Sequence, residues 1–164
     1  MSMLGIEQVL AQMKAKLLAD LPDKVAALNS EYADGIAITA PDASSYRQVF
    51  DPQDEAELAL VAFPAAVLHP EPESVIGEPS VGGEYQIEHA VEVAFIVGYD
   101  ARDRQETRLL RYMRAAKEIL GPLDSLDDGS VAYRGGGFAR TWTTSNGIVR
   151  DVALIFTTTV YETP

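Results

Sequence analysis

Histidine is the first residue type to weigh in this chain, because its 164 residues include only two histidines and no cysteine. His69, Glu71 and Glu73 stand at alternate positions of His69-Pro70-Glu71-Pro72-Glu73, where an extended segment could offer nitrogen and carboxylate ligands to a metal ion. Pro70 and Pro72 keep the segment extended but leave the three side chains pointing variably. No further histidine or carboxylate cluster is set beside them, so the segment reads as a loop without a metal site. His89 falls on the apolar parity of an alternating strand, where a hydrogen-bonded histidine at a sheet margin is expected instead of a general base.

Other motifs fare no better as chemistry. Gly135-Gly136-Gly137 lacks the Lys-Ser/Thr that follows a phosphate-cradling loop and does not lead from a strand into a helix, so a glycine break or bulge in a β-region is the expectation. The nucleophile elbow Gly-x-Ser-x-Gly is absent, since Ala132 takes the place that its second glycine would need after Gly129 and Ser130. Trp142, Phe138 and Tyr133 could form an aromatic platform; close to a hairpin they are expected to cover the sheet. The chain is therefore read as a non-enzyme, with no catalytic residue, no cofactor site and no metal site assigned.

Charge is the more informative signal. Thirteen basic against twenty-five acidic residues give a net charge of −12, which opposes binding of phosphate backbones by the surface as a whole, so no specific nucleic acid is expected as a partner. The charges are also segregated. From Gln48 to Ala101 there is no Lys or Arg, while Glu71, Glu73, Glu78, Glu84, Glu88 and Glu92 accumulate; directly afterwards come Arg102, Arg104, Arg108, Arg111, Arg114 and Lys117. The apolar runs are too short for a membrane span, no signal peptide is evident, and the lack of cysteine fits synthesis in a reducing cytoplasm.

The elements that must position these residues follow from periodicity. Ile6, Leu10, Met13 and Leu17 predict a helix from about Leu4 to Ala19, and Pro22 suits the first turn of a second, short helix carrying Val25, Leu28 and Tyr32. Ile36 to Thr39 predicts a short strand, Tyr46 to Phe50 an edge strand, and Leu58 to Leu68 a strand with Pro64 at an edge or bulge. Residues 69–84 form a long loop whose Pro and Gly content is expected to keep it out of a sheet, Val75 to Gly83 included. Tyr85 to Gly98 alternates as a half-buried strand, with Ile87, Val91, Val93, Phe95 and Val97 on one face. A helix over 103–120 then presents Leu109, Met113, Ala116 and Leu120 inward and its arginines outward. Asp127-Asp128-Gly129 is a turn, Ser130 to Arg134 a strand, and Phe138–Thr144 and Ile148–Tyr161 a hairpin about Asn146-Gly147, which suits a two-residue type I′ turn. The expectation is one α+β domain over 1–164, a mainly antiparallel sheet with an N-terminal helix and a central helix on one face.

Taken in order, the N-terminal helix with a Leu-Pro near its end, the strand Phe63-Pro64-Ala65-Ala66-Val67-Leu68, the Pro/Gly-rich loop, the strand Glu88-His89-Ala90-Val91-Glu92-Val93-Ala94-Phe95-Ile96-Val97, and the Arg- and Leu-rich helix resemble the tail terminator and tail completion proteins of long-tailed bacteriophages. Arg150-Asp151-Val152-Ala153-Leu154-Ile155-Phe156 is similar to the last strand of that family. The resemblance implies a structural virion subunit without cofactor or reaction. Such a subunit forms a ring, usually of six, that caps the tail tube and joins it to a head-side connector at the head–tail junction. Head-to-tail rings need two unlike, complementary patches on each subunit. The segregated charge offers them: Arg104, Arg108 and Arg111 of the helix are expected to dock on Glu71, Glu73, Glu78, Glu84, Glu88 and Glu92 of the next copy. A small-molecule-binding or enzymatic α+β domain is the alternative class.

Overall fold

The computed structural model describes residues 5–49, 62–76, 85–122, 126, 131–144 and 147–162. Helix α1 (Ile6–Tyr32) is followed by a 3-10 turn (Ala43–Ser45), β1 (Tyr46–Gln48), β2 (Ala65–Pro70), β3 (Ser74–Val75), β4 (Tyr85–Val97), α2 (Arg102–Leu120), β5 (Ala132–Thr144) and β6 (Gly147–Glu162). The strands form one sheet in the order β1-β2-β4-β6-β5, with β3 also paired to β4. All pairings are antiparallel except β1 with β2. This is the expected α+β class, and both helices pack on one face of the sheet.

The two expected N-terminal helices are a single one. Val9, Leu10, Met13, Leu17, Leu21, Val25 and Leu28 form one buried stripe that runs straight through Pro22. Proline inside a helix costs about 3 kcal/mol, through a lost backbone hydrogen bond and a clash with the preceding turn. Full burial of a single Leu contributes a similar amount, about 1.5–3 kcal/mol. Val25 and Leu28 beyond the proline are therefore enough to hold the helix together.

β4 carries the core. Ile87, Val91, Val93, Phe95 and Val97 join the α1 and α2 stripes in the main cluster, and Phe95 stacks on Tyr112 with ring centroids 5.1 Å apart. Its other parity is also partly covered: Ala94 and Ile96 pack with Val49, Ala65, Val67, Val149 and Ala153 in a second, smaller core against Phe63 and Trp142. The buried face of α2 is broader than the expected stripe. Leu109, Ala116 and Leu120 of that stripe are buried, Met113 lies at the margin, and Tyr112, Ala115 and Ile119 extend the buried face.

Other expectations are corrected. Ile36 to Thr39 is extended but in no strand, because side chains take the place of a neighbouring strand: Asn29 donates to Ile38 O and accepts from Ile38 N, at 2.8 and 2.9 Å. β2 begins at Ala65 and lies inside the sheet, with Pro64 ahead of it. Ser74–Val75 does join the sheet, registered against Glu88 and Ile87 of β4. The three glycines do not break β5, which runs through them; the alternative expectation of a bulge is met by the register shift between Tyr133 and Gly135, and a second shift follows between Phe138 and Thr141. Thr144 pairs with Gly147 as the hairpin requires, while Ser145 and Asn146 lie outside the described residues, as do Phe50, Leu58, Gly77 to Gly83 and Asp127 to Ser130.

Candidate assembly surface

The arginines of α2 spread around the helix, and the fold uses most of them. Arg111 is only 4% exposed; it donates to Ile36 O, pairs with Asp34, and lies over the Tyr32 ring at 4.3 Å. Arg108 donates to Ala37 O at 3.1 Å and pairs with Asp100 at 2.6 Å. Arg114 grips Glu31 through two nitrogens at 2.7 and 3.0 Å and reaches Glu118 at 2.8 Å. Tyr112 completes the set by donating its hydroxyl to Thr39 O. Together these side chains satisfy the carbonyls of the extended segment after α1 and fasten it and α1 to α2. Lys117 lies over the Tyr133 ring at 5.3 Å. Arg104 forms no ion pair with another described residue.

This corrects the expectation that Arg104, Arg108 and Arg111 all lack partners within the chain: only Arg104 fits it. The electrostatics follow the geometry. The Asp34 carboxyl lies below its usual range because it accepts from Ile36 N and Arg111. Asp100 is lowered by Ala101 N–H and the charges of Arg108 and Arg104, and Glu118 by Lys24 and Arg114. Burial pushes the Tyr112 hydroxyl up to about 12.

The acidic residues divide between two places. Glu92 is half-buried on the sheet face turned away from the helices, 3.2 Å from Arg140, and Arg140 pairs with the fully buried Asp151 at 2.7 Å while lying over Trp142 at 5.5 Å. Burial raises the carboxyls of both Glu92 and Asp151, against the opposing pull of Arg140. Near the β3 end, Glu88 meets Arg134 at 3.4 Å, Glu73 approaches His89 at 3.6 Å, and Glu71 N–H donates to Ala90 O. Glu78 and Glu84 lie outside the described residues.

Glu71 and Glu73 also line an open cavity of about 370 Å³ with Ile6, His69, Pro70, Pro72 and His89. By register the two histidines belong to opposite faces of the sheet, and among the described residues no three His, Asp or Glu side chains converge as a metal site would need. His69 Nδ1 donates to Val49 O, and His89 Nε2 is buried without a partner. Tyr133, Phe138 and Trp142 do not form one platform: Tyr133 packs against Phe156, Trp142 belongs to the smaller core, and Phe138 is 54% exposed.

Several side chains went unassigned in the sequence reading. Gln105 is buried and donates to Gly98 O and Ile148 O, locking α2 to the ends of β4 and β6. Asp151 is fully buried inside an otherwise apolar strand and is held by Arg140. The two outer edges of the sheet, β1 and β5, pair only inward among the described residues. Around them stand Arg134 and Phe138 on one side and Glu71 and Glu73 on the other.

No family model matches this chain, and no curated protein does. Among solved structures, a chain described as "Virion of native gene transfer agent (GTA) particle" is similar at 16% identity over 94% of this chain and 95% of its own, with a TM-score of 0.48.

Proposed function

We propose that this chain is a structural subunit of a phage-type virion, a ring-forming tail terminator or tail completion protein at the head–tail junction. Its partners are further copies of itself, the tail-tube protein and the head-side connector, and it performs no reaction. The family resemblance of the element order motivates the proposal. One structural observation carries it: among the described residues the sheet has two unpaired edges of unlike character. One edge is the long strand β5 with Arg134 and Phe138 exposed, and the other is the short strand β1 with Glu71 and Glu73 just beyond it. Unlike patches on opposite sides of one subunit are what a head-to-tail ring requires, since identical patches would close a dimer.

The test is the mass of the full chain in solution, by native mass spectrometry or light scattering, across concentration and salt. A closed oligomer that weakens as salt rises is the expected result, because the pairs at such an edge are solvent-exposed and screened. A monomer at every concentration and salt would overturn the proposal. The cavity with the unpartnered His89 Nε2 is the feature that a small-molecule-binding domain would use.

A further inference from the structure

We infer that the ring closes by backbone pairing between the two sheet edges, Gly136–Phe138 of β5 in one copy lying antiparallel to Tyr46–Gln48 of β1 in the next. This rests on the ring reading above and adds the interface to it. Strand direction comes first. β4 and β5 run one way through the sheet, and β1, β2, β3 and β6 run the other. Rotation about a ring axis along the strands preserves those directions, so β5 meets β1 of its neighbour in the antiparallel sense.

Height along the strands is the second condition, because pure rotation adds no rise. The pairings can be followed across the sheet. Phe138 registers with Val152, Val152 with Phe95, Phe95 with Ala66 and Ala66 with Tyr46. In the same way Gly137 leads through Ala153, Ala94 and Val67 to Arg47, and Gly136 through Leu154, Val93 and Leu68 to Gln48. The regular part of β5 between its two register shifts thus stands level with the whole of β1. The same reasoning brings in charge. Glu71 N–H bonds to Ala90 O, and both Ala90 and Ala132 register with Thr157, so Glu71 of the neighbour stands level with the start of β5, next to Arg134.

The glycines supply an independent observation. Gly135 has a positive φ of 149°, and a Cβ on Gly136 would sit 2.4 Å from Ala153 O, so the fold itself requires both. Gly137 is required by neither cause, since its φ is ordinary and nothing lies within 4 Å of an added Cβ. Glycine weakens a strand interior and marks places where another backbone approaches closely. By register Gly137 and Arg47 share a face, so the space over Gly137 is where Arg47 of the neighbouring copy would lie. On the other face the exposed Phe138 comes level with Tyr46.

The natural chain has no cysteine, which makes a disulfide test clean. Arg47→Cys with Gly137→Cys in one chain, oxidised at low salt, should give a covalent ladder of oligomers ending at the ring, while each single variant stays uncross-linked. Gly137→Val should keep the wild-type melting temperature and weaken assembly by at least about tenfold, because the valine side chain would occupy the space that Arg47 of the neighbour needs. An assembled wild type with no ladder and no effect of Gly137→Val would overturn the edge pairing and leave the ring intact. Disulfide dimers of Gly137→Cys alone would also overturn it, by showing that β5 pairs with itself. A wild type that never assembles would overturn the ring reading with it.

Discussion

The helical face and the β5 edge use charge and glycine in opposite ways. On the helical face Arg108, Arg111 and Arg114 are spent inside the chain, on Ala37 O, Ile36 O, Asp34, Asp100, Glu31 and Glu118. At the β5 edge Arg134 keeps 57% exposure while meeting Thr157 and Glu88, Phe138 is 54% exposed, and no described residue fills the space over Gly137. A dense run of positive charge in sequence therefore marked the fastening of the fold, and the sparser edge is the surface that the proposed ring would use.

The largest effect that sharpens this contrast is steric. Gly136→Val drives a side chain into the Ala153 carbonyl and should cost about 3 kcal/mol of folding stability, measured as a lower urea midpoint, whereas Gly137→Val should leave the midpoint within error. Equal losses at both positions would erase the distinction between a glycine needed by the fold and one kept for a contact. A smaller loss, about 1–2 kcal/mol, is expected for Gly147→Val. Its φ is 133° and an added Cβ would meet the Tyr99 ring at 3.0 Å.

The smallest effect separates the two regions by acid response. Asp34, Asp100 and Glu118 on the helical side are held below their ordinary values, so their stabilisation is complete above the unfolded carboxylate range and is lost as pH falls through their folded values. Glu92 and Asp151 on the far sheet face are raised by burial, so their contribution has the opposite sign: it is full below the unfolded value and is lost as pH rises through the folded one. Relative to wild type, Asp34→Asn should thus lose its disadvantage as pH drops below 4, and Glu92→Gln should gain a disadvantage between pH 7 and 4. Urea midpoints of the three proteins at several pH values check both signs.

Periodicity made most of this fold legible. The alternation of β4, the hairpin of β5 and β6, and the existence of both helices follow from side-chain spacing alone. What it could not show was partnership across long sequence separations. Asn29 with Ile38, and Arg111 with Ile36, replace a strand that local β-propensity suggested, and the continuous stripe through Pro22 outweighs the usual helix-breaking reading. The candidate surface was less legible still. Segregated charge did not show that Arg108 and Arg111 are bonded within the chain, because an arginine on a helix reads the same whether it meets water or a carbonyl 75 residues away. The proposed edge pairing rests on strand register, and register is not written in composition.

One comparison tests the division between these regions most directly: the melting temperature and the solution mass of two variants beside wild type. Replacing Arg108 and Arg111 together with Glu should lower the melting temperature by more than about 5 °C, through lost bonds to the Ile36 and Ala37 carbonyls and repulsion from Asp34 and Asp100. Replacing Arg134 with Gln should lower the melting temperature far less than the helix variant, since only the contacts to Thr157 and Glu88 are disturbed, and should weaken the oligomer. A helix variant that melts like wild type but no longer assembles, beside an Arg134 variant that assembles normally, would contradict the account.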